Sequence, residues 1–299
     1  MLSLHTNNAA LSAQNSLTRT QSTLSTSMTR LSTGYRINSA MDDAAGLQIA
    51  TRLKTQTSGM QVAMRNTQNS ISLMQTAEGA LDETTNILNR MKDLATQSAD
   101  GSSTKDDQAA MQAEFDSLSN ELGNIMTNTK FGGTNLLTSG TGKLSTTITF
   151  QIGADKDEKM TADFTTEMTA VHDKIKAAAD QFDGATGAAA ASAGTEISGA
   201  DAATGATNAN ATIKDLSDAI DAVGTMRSKL GAVSNRLDHV NSNLSSISTN
   251  TKNASGRIMD VDFATESANM TSNQMLLQAG TAMLKQSNSQ SSLVMSLLQ

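Results

Sequence analysis

Few residues in this 299-residue chain are of types that catalyse reactions or hold metals, and none is spaced to do so. Its three histidines, His5, His172 and His239, are far apart in sequence. His172 is followed by Asp173, Lys174, Ile175 and Lys176, so the Glu and second His of a zinc-binding HExxH helix are missing. Asp155, Asp157 and Glu158 open like a calcium loop, but Met160 stands where the tight turn needs Gly. Thr166 stands where the bidentate Glu belongs, which makes these acids a solvated charge cluster. With no cysteine there is no thiolate nucleophile, disulfide or thiolate metal site, and neither a P-loop nor a GxSxG turn occurs. The chemistry of the residues therefore predicts no enzyme, no cofactor and no metal.

The composition points to packed helices. There is no Pro and no Trp, with one Tyr and six Phe, so a core must be built from Leu, Ile, Val, Met and Ala. Lack of Pro favours uninterrupted helices. The seventeen Met residues are read as adaptable core filler. A net charge of -7 without a basic face argues against nucleic acid as a partner. No stretch is apolar enough for a membrane span, and the opening MLSLHTNNAALSAQNS has neither the basic nor the apolar region of a cleaved signal.

Periodicity supplies the elements. Met60, Met64, Thr67, Ile71, Met74, Leu81, Thr85 and Leu88 recur at coiled-coil steps, interrupted at Glu78, and Asp100-Gly101 marks a turn. Met111, Phe115, Leu118, Leu122 and Ile125 form a second run, ending at Gly132-Gly133. From Leu144 through Thr146, Ile148, Phe150 and Ile152 the period becomes two, which predicts a strand in a hairpin. Residues 154–211 contain DKDEK, a short helix around Val171 to Phe182, and a low-complexity Gly/Ala/Thr/Ser stretch. The latter is read as exposed surface, with a small β-rich insert as the alternative. Heptads return from Ile213 through Leu216, Ile220, Val223, Leu230, Val233, Leu237, Val240, Leu244 and Ile247, with a stammer at Arg227–Leu230–Val233.

The two ends differ from the rest. No acidic residue occurs from Met1 to Met41, and Glu266 and Lys285 are the only charges after Asp262. Nearly charge-free ends suit burial against other chains, where an unpaired charge would be costly. Leu4, Leu11, Leu17, Leu24, Met28 and Leu31 are expected to pair with Met270, Leu277, Leu284 and Leu298 in one coiled coil that drives polymerisation. Because these ends are poor in large apolar residues, the inner helices are expected to fold in the monomer and the outer ones to order on assembly.

Local sequence adds a family resemblance. TRLSTGYRINSAMDDAAGLQIATRL (Thr29 to Leu53), ILNRMKDLATQSADGS, QAEFDSLSNELGNI, KFGGTNLL, FQIGA and the terminal SLVMSLLQ resemble segments of the bacterial flagellins, in flagellin order, over the first 153 and last 88 residues. The resemblance implies a filament subunit for motility, exported unfolded by the flagellar type III apparatus and located outside the cell in the flagellum. The implied fold is mainly α: a long coiled-coil bundle formed by both chain ends, with a small β-hairpin region and a short variable insert. Its divisions fall at 1–42 and 257–299 for the terminal coiled coil, 43–153 and 212–256 for the helical core, and 154–211 for the insert. The implied partners are other copies of the chain, an export chaperone, filament cap and hook-junction proteins, and host flagellin receptors.

Site residues follow from the same resemblance. Arg36, Ile37, Asn38, Asp42, Asp43, Gly46, Leu47 and Ile49 match the segment perceived by a plant receptor kinase, with Met41 where Lys is common. Arg90, Leu94 and Glu114 match helix-face residues used by the animal cell-surface receptor, with Asn89 replacing a usual Gln. On pattern alone Arg90 and Glu114 read as a solvated charge pair, and Asp42 and Asp43 as helix caps. Leu293, Val294, Met295, Leu297 and Leu298 match the tail read by the export chaperone and cytosolic sensors. A hook–filament junction protein, which shares flagellin-like ends, is the rival reading.

Overall fold

The computed structural model describes residues 7–185 and 193–297, with side chains as far as residue 289. Six α-helices dominate: α1 (Asn8–Thr33), α2 (Ala44–Ser98), α3 (Lys105–Asn128), α4 (Thr165–Ala178), α5 (Ala202–Met259) and α6 (Phe263–Leu297). Between α3 and α4 lie the short strands β1 (Lys130–Phe131) and β2 (Thr134–Asn135), then β3 (Ile148–Gln151) and β4 (Lys159–Ala162). The chain divides into two compact units, residues 1–57 with 249–299, and residues 58–248.

In the unit of residues 58–248, buried faces of α2, α3 and α5 share one core. It contains Leu81, Leu88 and Met91 with Phe115, Leu122 and Met126, and with Val223, Met226 and Leu230. The predicted helical period holds, and Met60, Thr67, Ile71, Met74, Leu81 and Leu88 of α2 and Leu216, Val223, Leu230, Leu237 and Leu244 of α5 are buried as expected, while the alternate positions shift by one residue. On α2, Ala77 and Thr84 are buried where Glu78 and Thr85 were expected. On α3 the covered row is Gln108, Gln112, Phe115, Ser119, Leu122 and Met126, and Met111, Leu118 and Ile125 lie on its flank. On α5 the expected stammer is absent: Ala219, Val223, Met226, Leu230 and Leu237 keep a continuous heptad spacing. Arg227 points outward, 2.9 Å from Asp82 on α2.

Several helix ends are closed by side chains. Thr104 and Asp107 form a reciprocal capping box at the start of α3, with the Asp107 N–H donating to the Thr104 hydroxyl at 3.2 Å. The Thr104 hydroxyl donates to the Asp107 carboxylate at 2.6 Å and holds its pKa below the ordinary value. Buried Thr67 and Thr84 each donate to the carbonyl four residues back, so neither hydroxyl is left unpaired in the core.

The hairpin is present and shorter than expected. Strand β3 pairs antiparallel with β4 in the register Ile148↔Ala162 and Phe150↔Met160, and these four side chains face inward. Leu144 belongs instead to a one-turn 3-10 helix, fully buried. The acidic cluster forms the hairpin turn: the Asp155 N–H donates to Glu158 at 3.0 Å, and Lys156 pairs with Asp157 in solvent.

Residues 154–211 are not uniformly an exposed insert. Met168, Val171, His172 and Ile175 of α4 are buried, Ile197 is buried, and Ala202–Ala211 already belong to α5. A helix can begin this early because small residues at Gly205 and Ala209 continue the covered row of α5. The Gly/Ala stretch at 186–192 lies outside the described residues. His172 stacks on Phe182, and its Nε2 lies 2.7 Å from the Leu137 carbonyl; burial pushes its pKa below 6.5 and favours the neutral ring.

Candidate subunit interface

The other unit is built on the pairing of α1 with α6. Three contacts set the register as antiparallel. The Asn7 amide donates to the Ser287 carbonyl at 3.2 Å, Leu17 lies against Gly280, and Arg30 is 3.8 Å from Glu266. Gly280 sits opposite Leu17 because a Cβ there would lie 3.1 Å from the Leu17 Cδ1. The least exposed positions of α1 (Ala10, Ala13, Leu17, Thr20, Leu24, Ser27, Leu31) and of α6 (Glu266, Met270, Asn273, Leu277, Gly280, Leu284) both step by alternating three and four. That is an antiparallel coiled-coil seam in which small and polar residues alternate with single large ones. The Arg30–Glu266 pair sits in this seam with Glu266 buried; a misaligned pairing would bury that carboxylate without its partner.

Leu17, Leu24 and Leu31 of α1 and Met270, Leu277 and Leu284 of α6 therefore lie on the covered face, as the spacing predicted. Leu11 and Met28 do not: they are 59% and 50% exposed. The difference is one of phase, because each lies immediately beside a seam position and cannot reach across the same groove. On α6, Met275, Leu276 and Met283 are also open to solvent, at 60%, 56% and 66%. Leu4 and Leu298 fall outside the described residues.

The rest of α1 is unusually suited to a second burial. The exposed Thr18, Thr23, Thr26, Thr29 and Thr33 each donate their hydroxyl to the carbonyl four residues earlier, at 2.9 to 3.1 Å. A hydroxyl satisfied within its own helix loses little when water is removed, whereas a Lys or Glu would lose much. This helix face is polar in composition yet needs no outside hydrogen-bond partner for those groups.

Between α1 and α2 the chain makes a tight, hydrogen-bonded turn. Gly34 adopts a left-handed conformation and closes α1 by donating its N–H to the Arg30 carbonyl. The next residues run beside the end of α5, with the Arg36 N–H donating to the Met259 carbonyl and its guanidinium to the Ile258 carbonyl at 2.9 Å. Asp42 does not cap α2. It accepts from the N–H groups of Ser39 and Asn38, which hold its pKa below the usual carboxylate value. Asp43 is the cap, accepting from the Gly46 N–H at 2.8 Å. Ile37 is buried beneath Gly46, where a Cβ would come within 2.9 Å of the Ile37 Cδ1. Leu47 is half-buried, and Asn38, Met41 and Ile49 are exposed.

Within the unit of residues 58–248, Arg90 of α2 and Glu114 of α3 form a two-point ion pair, 3.0 and 2.6 Å from the guanidinium nitrogens to one carboxylate oxygen. Both are about half exposed. Leu94, four residues on, is only 3% exposed and belongs to the core, so it does not share their surface. Its role is to hold α2 in place beneath the pair.

A polar device escaped the periodicity. Gln108 and Gln112 are buried and reach across to the segment before α5. The Gln108 amide donates to the carbonyls of Ser98 and Ala202, both at 3.0 Å. The Gln112 oxygen accepts from the Ile197 N–H at 2.8 Å, and its nitrogen donates to Asp116 and Glu196. Their spacing of four, in line with Phe115 and Leu122, was the available signal; their polarity concealed it.

An α-helical chain whose two ends pair in a coiled coil, with Leu11, Met28, Met275, Leu276 and Met283 left exposed, has the features of a protein that assembles. Its residues 4–141 match the bacterial flagellin N-terminal helical region, and residues 213–298 the bacterial flagellin C-terminal helical region. It is 36% identical to Flagellin A of Vibrio anguillarum with all of both chains covered, and 36% identical to Flagellin D of Vibrio cholerae serotype O1 with 99% of both covered. A putative flagellar hook-associated protein from Vibrio parahaemolyticus shares the fold at a TM-score of 0.56 and 17% identity, covering 73% of this chain and all of that one. The chain belongs to the bacterial flagellins. Its function is that of a structural subunit of the extracellular flagellar filament, and full-length identity favours this over the hook-junction alternative.

Proposed function

We propose that filament growth buries the exposed large apolar side chains that flank the α1–α6 seam, Leu276 and Met283 on one side and Leu11 and Met28 on the other, against neighbouring copies. The observation that carries this is that the same helix pair closes one apolar seam within its own chain and leaves Leu11, Met28, Met275, Leu276 and Met283 exposed among the described residues. Large apolar side chains standing in a nearly charge-free surface mark an interaction site. Because the intrachain seam is poor in large residues, the pair is marginal before assembly and ordered by it. Hydrogen exchange tests this directly. Amides of α1 and α6 in the free subunit are expected to exchange far faster than those at Leu81–Met91, and to become protected in filaments. Equal protection of the termini before and after polymerisation would remove the proposal.

The finer partner assignments rest on the resemblance. Export in an unfolded state by the type III apparatus suits a chain without cysteines, which has no disulfide to form early. The tail carrying Leu293, Val294, Met295, Leu297 and Leu298 is the proposed chaperone and sensor contact, and binding lost on deleting residues 293–299 would be its signature. The same deletion provides a test for contacts with cap and hook-junction proteins. For the animal receptor, exposure supports Arg90 and Glu114 and not Leu94. Arg90→Ala is expected to reduce receptor signalling at least about tenfold and leave thermal stability within roughly 0.5 kcal/mol, since the ion pair is exposed; unchanged signalling would exclude the site. In the plant-receptor segment, Asn38 and Ile49 offer side chains to a partner, whereas Ile37, Asp43 and Gly46 shape the turn. A peptide series in which Ile37 matters and Asn38 does not would contradict that division.

A further inference from the structure

We propose that Met28, Met275 and Met283 are oxidation sites that control assembly: peroxide converts their thioethers to sulfoxides in the free subunit, and the oxidised subunit cannot join the filament. The proposal rests on the reading of the exposed apolar side chains of α1 and α6 as the contact between copies.

The distribution of methionine carries the argument. Met60, Met74, Met91, Met126, Met160, Met168 and Met226 are all buried in the unit of residues 58–248, shielded from any oxidant. Apart from Met41 in the turn before α2, the strongly exposed methionines are Met28 on α1 and Met275 and Met283 on α6. Thus three of the four strongly exposed methionines among the described residues lie on the one helix pair proposed above to be covered by other copies. Leucine would serve the packing equally well, and Leu276 does so between them.

The step is a two-electron transfer of one oxygen atom. A lone pair on the methionine sulfur attacks a peroxide oxygen, the S–O bond forms as the O–O bond breaks, and the remaining oxygen leaves as water after proton transfer. Sulfur is oxidised and hydrogen peroxide is reduced. The product replaces a flexible apolar group by a polar, strongly hydrogen-bond-accepting one. Burying it on assembly strips the new oxygen of its hydration, a cost the thioether does not carry. Methionine sulfoxide reductases reverse the change, so the block is reversible.

The test treats purified, unassembled full chain with hydrogen peroxide, maps sulfoxide by peptide mass spectrometry, and measures the critical concentration by sedimentation. Met28, Met275, Met283 and Met41 are expected to oxidise well before the buried methionines, and the critical concentration to rise at least about tenfold, given the apolar burial lost at three positions. The M28L/M275L/M283L chain, whose leucines keep helix propensity and bulk, is expected to polymerise normally before and after treatment. Reductase treatment of the oxidised parent chain is expected to restore assembly. Treated M28L/M275L/M283L failing as the parent does, or fully oxidised parent chain assembling unimpaired, would overturn the proposal while leaving the interface reading standing. If instead the three methionines in preformed filaments oxidise as fast as in the free subunit, these side chains are not covered, and both readings fall.

Discussion

The double substitution L276D/M283D is expected to leave the chain in the supernatant at concentrations where the parent chain sediments as filaments. Both side chains are more than half exposed in the subunit, and neither belongs to the core of residues 58–248. Removing them therefore takes nothing from the folded core, and the thermal transition of that unit is expected to be unchanged by circular dichroism. Assembly is another matter. Losing about 1.5 kcal/mol of apolar burial at each of two positions is worth roughly 3 kcal/mol, or a factor of about 100 in critical concentration. The carboxylates add a desolvation cost, since the nearest charge on α6, Lys285, is a single exposed cation. Parental sedimentation of the L276D/M283D chain would show that filament contacts use some other surface. The covered seam gives the complementary expectation within the same experiment: Leu276 and Met283 stand one residue before Leu277 and Leu284, so acidic groups there leave the intrachain pairing in place.

Substituting Gln112→Ala is expected to destabilise the helical core by about 2–4 kcal/mol, more than an exposed glutamine would cost. The wild-type amide satisfies three groups at once: the buried Ile197 N–H and the carboxylates of Asp116 and Glu196. Without it, Ile197 keeps its buried side chain and loses its backbone acceptor, and two acids lose the donor they share. The damage is expected to be local at first, because Glu196 also anchors the same segment by accepting the Asp180 N–H and the Thr212 hydroxyl. Amide exchange provides the check: the Ile197 amide in Q112A is expected to exchange at least about 30-fold faster, with a lowered urea midpoint. An Ile197 amide as protected as in the parent chain would mean that the polar anchor contributes nothing.

Much of this architecture was legible in advance, for a physical reason. The absence of Pro and the recurrence of apolar residues at steps of three and four define helices irrespective of what they pack on, so the helical runs from Met60 to Leu88 and from Ile213 to Ile247 and the pairing of the chain ends could be anticipated. The period-two run from Ile148 likewise announced a hairpin strand. The glutamines of α3 were not legible, because a buried amide is acceptable only when particular distant backbone groups meet it. Nor was the inclusion of Ile197 and Ala202–Ala211 in the folded body, since a composition of Gly, Ala, Thr and Ser reads as surface unless a close-packed neighbour makes small size an advantage.

By itself, then, the sequence determined the helical period and the nearly charge-free character of both ends, which are properties of the local chain. Tertiary structure decided the phase. Adjacent helical positions are separated by about 100°, so Met226 or Arg227, Ala77 or Glu78, and Ser27 or Met28 could each have faced the neighbour. Partner geometry selected one member of each pair for burial and left Leu11, Met28, Leu276 and Met283 outward.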